Sequence, residues 1–144
     1  VSHTAQIRSM LRDHELWVRS GGEDGRPAFF GAGNFYRQSF KGRLIERADF
    51  RQSILQSANL KKCQARGANF WRADLRGAIL RDADLRDCNF EKAVLDSVDL
   101  RGAQLEGSRL QGAYMYKALV EKSQLSWLAT NPNFYIYQEH ILVV

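Results

Sequence analysis

Side chains able to do chemistry are few in this chain, and they are scattered. His3, His14 and His140 share no spacing that would bring two imidazoles, or an imidazole and a thiol, onto one metal ion. Cys63 and Cys88 are the only cysteines. They are too few for a disulfide framework and read as inert buried thiols. Gly21, Gly22 and Gly25 lack the Lys-Ser/Thr of a phosphate-binding loop, so they read as a helix C-terminus followed by a loop. No nucleophile stands with a base, and no catalytic, cofactor-binding or metal-ligating residue is assigned. What remains is binding chemistry. Lys41, Lys61, Arg81 and Arg101 recur every twenty residues, a column of cations suited either to an anionic partner or to simple hydration. Trp71, flanked in space by Arg51 and in sequence by Arg72, is an exposed aromatic of the kind that anchors protein contacts.

Those spacings follow from a stronger regularity. From Phe30 to Met115 every fifth residue is apolar: Phe30, Phe35, Phe40, Ile45, Phe50, and so on without a break through Leu110 and Met115. From Ala48 to Ala113, the residue two before each of these centres is small: Ala, Ser, Cys or Val. A period of five fits neither the 3.6 of a helix nor the 2 of a strand, so neither element alone can bury this pattern. A chain that turns a corner every five residues can, with the centre and the small residue inward and the other three facing water. Coils built this way stack through strand-like hydrogen bonds at a spacing of about 4.8 Å.

The units Ala48-Asp49-Phe50, Ala58-Asn59-Leu60, Ala68-Asn69-Phe70, Ala73-Asp74-Leu75 and Ala83-Asp84-Leu85 resemble the A(D/N)LXX motif of pentapeptide-repeat proteins. The resemblance covers roughly residues 28–117. It implies an all-β solenoid: a right-handed quadrilateral β-helix of about four to five coils. Members of that family that mimic duplex DNA to bind type II topoisomerase need an acidic surface. Residues 28–117 instead carry sixteen Lys and Arg against ten Asp and Glu, a net of +6, which disfavours that role. Folding the sequence at twenty residues predicts that Phe50, Phe70 and Phe90 stack inside on one side, continued by Leu110. Ala65, the one small centre, predicts a packing deficit filled by the Cys63 thiol. Gln38 and Arg43 occupy small-residue positions, so an irregular first coil is expected, with Leu44 replacing Ile45 inside through a one-residue bulge.

Open solenoid ends need covering. In residues 1–27, Ile7, Met10, Leu11, His14, Trp17 and Val18 recur at helical spacing. They predict an N-terminal α-helical cap over residues 4–20, begun by Ser2 or Thr4 and ended by Gly21-Gly22. In residues 118–144 the pentad is expected to fail. Ala118 to Ala129 reads as a helix, and the apolar run from Phe134 to Val144 reads as a strand, together a C-terminal helix/strand cap. That run concentrates Tyr135, Tyr137, Ile141 and Leu142, the expected contact of a homodimer.

The 144 residues carry a formal charge of +5 with pI near 9.5. This permits nucleic acid as a partner, yet there is no basic block and there are no interleaved aromatics to favour it. No stretch reads as a signal peptide or membrane span, and a cytoplasmic protein is expected. The reading is therefore a non-enzymatic scaffold whose partner is another protein, with no cofactor.

Overall fold

The computed structural model describes residues 3–131 and 141–144. Its organising unit is a turn. Each centre accepts, at its carbonyl, a hydrogen bond from the amide three residues on, as in Ser53 N to Phe50 O at 3.1 Å and Ala73 N to Phe70 O at 2.9 Å. The residue two after the centre has positive φ, for example Gln52 at 58° and Arg72 at 54°. A closing bond to the third residue with left-handed backbone at the second is the signature of a type II turn. Six glycines, Gly42, Gly67, Gly77, Gly102, Gly107 and Gly112, occupy this position, where they escape the strain that a side chain brings.

Between turns the chain pairs with the coils on either side. The Phe50 amide donates to Asn69 O (2.8 Å), and the Asn69 amide donates back to Ala48 O (2.9 Å). Parallel bridges join each residue before a centre to the residue twenty later, from Phe29 with Asp49 to Asp99 with Leu119. They fall in four columns, one for every five residues of the coil. The result is a β-helix-like repeat fold. Its interior is the whole series of centres, each buried, with the small residues packed between them.

The first coil keeps the same register as the rest. Ile45 is fully buried, Leu44 is only half-buried, and Leu44 pairs with Gln64 twenty residues on, so the bulge does not occur. Arg43 is accommodated because its Nε donates to Glu15 Oε1 at 2.6 Å across to the N-terminal helix. Gln38 stays half-buried and donates to Ser39 O at 3.4 Å. Arg43 can stand at a small-residue position because it lies at the edge of the stack, where a neighbour outside the coils reaches it.

That neighbour is α1 (His3–Arg19), whose Ile7, Leu11 and His14 are buried against the solenoid. Gly21 and Gly22 end it, with Gly22 N bonded to Trp17 O at 2.8 Å. The loop then doubles back under the helix, and Arg26 N donates to Asp13 O at 3.1 Å. Gly25 (φ +76°) lies so close to α1 that a Cβ would collide with the Asp13 carbonyl and the Trp17 amide. Gly25→Ala is therefore expected to destabilise by more than about 1 kcal/mol in urea unfolding, and by more than Gly21→Ala, since both have positive φ but only Gly25 adds a backbone clash to it.

At the other end the pentad runs one unit further than expected. Ala118 and Val120 are both fully buried, as small residue and centre, and Leu119 pairs with Asp99. Strand β1 (Leu119–Val120) pairs in parallel with β2 (Leu142–Val143). Helix α2 (Lys122–Thr130) consequently starts later than the sequence suggests. Its buried Gln124 donates to Leu100 O at 2.5 Å and Ala103 O at 2.9 Å, satisfying carbonyls of the last coil.

Candidate functional site

The outward side chains repeat in columns, and most are occupied with one another. The residue before a centre is commonly Asp or Asn, and its Oδ1 accepts the amide of the residue after the centre. Lys61 N to Asn59 (3.0 Å) and Trp71 N to Asn69 (3.0 Å) are examples. Where the pair reads Asp-X-Arg, the guanidinium folds back onto the carboxylate as well. Asp49–Arg51, Asp74–Arg76, Asp84–Arg86 and Asp99–Arg101 close at 2.7, 2.6, 2.7 and 2.8 Å. The hydrogen bonds from Arg86 and Arg101 hold the Asp84 and Asp99 carboxyls below the ordinary range against partial burial. For Asp49 and Asp74, burial pushes upward, and the partner arginine outweighs it. The tripeptide Asp-X-Arg is visible in the sequence, but its meaning depends on the bend that brings the two ends to one side.

These clasps change the cation column. Arg101 is committed to Asp99, Arg81 Nε lies 4.0 Å from Asp82, and Lys61 is half-buried, leaving Lys41 and Arg81 as its exposed members. Trp71 is half-buried, not exposed, and the Arg72 guanidinium lies over its ring at 4.6 Å. Of the expected self-association residues, Ile141 turns inward and is buried within its own chain, while Leu142 is half exposed on β2. Tyr135 and Tyr137 lie outside the described residues.

Sequence reasoning missed a different face. The columns through Asn34, Ile54, Asp74, Val94 and Tyr114, and through Tyr36, Gln56, Arg76, Asp96 and Tyr116, belong to one wall. Tyr36, Tyr114 and Tyr116 are each more than half exposed on it, and Ile54 is 39% exposed. The signal was available: five apolar or aromatic side chains, Val94 among them, at outward positions of a single side.

Both thiols are buried, and burial pushes Cys63 up to about 12 and Cys88 further still. Ala65 is met by a thiol other than the one expected from the sequence. Cys88 Sγ donates to Ala65 O at 3.0 Å from the next coil, and Ala65 itself is fully buried. Cys88→Ala should therefore cost at least as much as Cys63→Ala in urea midpoint, and neither thiol should react with a maleimide until the protein unfolds. Among the described residues no cluster of three or more His, Cys, Asp or Glu could hold a metal ion, and no helix is long and apolar enough to cross a membrane.

The pentapeptide-repeat sequence profile matches residues 45–82 and 80–112, in eight copies. The chain belongs to the pentapeptide-repeat family. Among solved structures it is similar to Rfr23, a pentapeptide-repeat protein of the cyanobacterium Cyanothece 51142. That match has a TM-score of 0.63 and 26% identity, over 66% of this chain and 65% of that one. It is also similar to HetL, a pentapeptide-repeat protein involved in heterocyst differentiation regulation in the cyanobacterium Nostoc sp. strain PCC 7120. Here the TM-score is 0.54 and the identity 30%, over 65% of this chain and 51% of that one. The chain thus spans less than two thirds of either relative. No curated protein matches it. Pentapeptide-repeat proteins are generally structural or interaction proteins.

Proposed function

We propose that this pentapeptide-repeat protein is a non-enzymatic scaffold that binds another protein through the wall bearing Tyr36, Ile54, Tyr114 and Tyr116. On this reading the solenoid is right-handed and four-sided, with between four and five coils. Residues 1–27 and 118–144 close its two ends, and residues 28–117 supply the rigid walls. The observation that carries the proposal is the exposure of three tyrosines and Ile54 on one wall. Aromatic side chains at the centre of a contact contribute more than their share of binding energy, and a rigid wall loses little entropy on docking. The cation column of Lys41, Lys61, Arg81 and Arg101, with Trp71, is the weaker candidate, because Asp99 and Arg72 already engage two of its members. For the same reason nucleic acid is the less favoured partner. HetL's description as a protein involved in regulation fits a binding role of this kind.

Photo-cross-linking tests the wall directly. A benzophenone side chain at position 36 or 114 should capture a partner protein in the source cell. The same group at Gln52 or Gln111, on another wall, should not. Equal capture from both walls would remove the assignment, as would capture unaffected by Tyr114→Ala with Tyr116→Ala.

A further inference from the structure

Between α1 and the first coil lies a hollow of about 450 Å³ lined by Ala5, Arg8, Arg12 and Arg43. We propose that it binds a phosphate monoester dianion, held by the three guanidinium groups. Arg8 and Arg12 are four residues apart, so they stand one turn apart on the same stripe of α1, with Ala5 leaving space below them. Arg43 enters from the solenoid, at a position where every later repeat from Ala48 to Ala113 carries a small residue. Its Nε is fixed by Glu15 at 2.6 Å. Among the described residues, no hydrogen bond or ion pair engages its two Nη atoms, nor the guanidiniums of Arg8 and Arg12. These arginines are thus unlike Arg51, Arg76, Arg86 and Arg101, whose carboxylate partners sit two residues away.

The ligand class follows from charge and shape. Glu15 stays ionised beside Arg43, so three positive charges face one negative, a net of +2, which matches a dianion. Forked donors on two separate elements line the one hollow, which suits a tetrahedral group with several acceptor oxygens better than a planar carboxylate with two. The hollow exceeds the volume of a phosphate group and admits part of the molecule that carries it. The site is on α1 and the first coil, and it stands independently of the tyrosine wall.

The test uses the full chain at physiological ionic strength, with adenosine monophosphate, O-phosphoserine and malonate as probes, followed through the arginine Nε–H resonances. Both phosphate esters are expected to shift the signals of Arg8, Arg12 and Arg43 and to bind at least tenfold tighter than malonate. The double variant R8Q/R12Q leaves the Arg43–Glu15 contact in place and should weaken both esters at least tenfold without moving the urea midpoint. Tighter binding of the nucleotide assigns a nucleotide ligand, and tighter binding of phosphoserine assigns a phosphorylated amino acid. Malonate binding as well as the esters, or a double variant within twofold of the wild type, overturns the site.

Discussion

Phe70→Ala should lower stability by about 3 to 5 kcal/mol, read as a drop in urea midpoint with the slope unchanged. The ring is fully buried and lies midway in an internal stack: Phe30–Phe50, Phe50–Phe70 and Phe70–Phe90 have centroids 4.8, 5.1 and 5.0 Å apart, with interplanar angles of 20°, 10° and 4°. Truncation would forfeit the burial of one ring and the stacking contacts on both its faces. The cavity could not close, because the coils above and below are tied to the Phe70 coil by hydrogen bonds in all four bridge columns. Phe70 N itself donates to Asn89 O at 2.7 Å. The upper half of that range is therefore expected, with Phe70→Leu distinctly milder. A midpoint for Phe70→Ala equal to that of the wild type would contradict the packing described here. The stack is longer than the sequence reading had it, for Phe30 extends it downward, where Phe35 and Phe40 meet it edge-on.

The interior was legible because burial leaves a periodic mark. A centre must be apolar at every fifth residue whatever surrounds it, so eighteen successive centres announced the coil. The corner was also marked, through six glycines all standing two residues after a centre, but twelve other positive-φ positions carry side chains such as Arg47, Gln52 and Lys62 and hide the rule. Positive φ in those residues is held by the closing hydrogen bond and the neighbouring coils, which no local propensity reports. The ends were harder for a related reason. Arg43 looked like an error in the repeat because its partner, Glu15, lies 28 residues away on a helix. Ala118-Leu119-Val120 passed for the start of a helix because three apolar residues in a row fit either period, and only the pairing of Leu119 with Asp99 decides between them.

The outer surface was the least legible part, and the reason bears on function. A count of charges gives the repeats a net of +6, yet four of their arginines are folded onto aspartates of the same turn. Net charge survives that folding, but those four guanidiniums are no longer free to grip a phosphate backbone. The walls therefore present closed Asp-X-Arg units beside lysines and arginines that have no carboxylate partner among the described residues, interrupted by tyrosines on one side, and Arg8 and Arg12 on α1 lack such a partner too. Composition reports none of this, because the distinction lies in which cation has a carboxylate two residues away on the same side.

His14 fixes α1 to the solenoid, and replacing it should have the second-largest effect. The side chain is fully buried, with Nδ1 accepting the Ala28 amide at 2.8 Å and Nε2 donating to Glu46 O, also at 2.8 Å. That pairing requires the neutral tautomer with its proton on Nε2, because a protonated Nδ1 would face the Ala28 N–H with no lone pair. Burial lowers the His14 pKa from its ordinary 6.5. The Glu46 carbonyl opposes that shift, Arg47 reinforces it, and Glu15 and Glu46 oppose it by their charge, leaving it below the ordinary value. With the folded pKa depressed, the unfolded chain binds the proton more tightly, so the contribution of His14 is complete above about 6.5 and is lost as pH falls toward the folded pKa. His14→Ala strands the buried Ala28 amide, which alone costs about 1 to 3 kcal/mol, and removes the packing of the ring beside Trp17. In urea unfolding the wild type should exceed the variant by that margin at pH 8, and the gap should narrow at pH 5, where the imidazole in the wild type is itself forced to charge or detach. His3, on the exposed start of α1, is present in both proteins and cancels in the comparison. A gap that stays constant between the two pH values would show that His14 does not titrate through the contact that holds the helix in place.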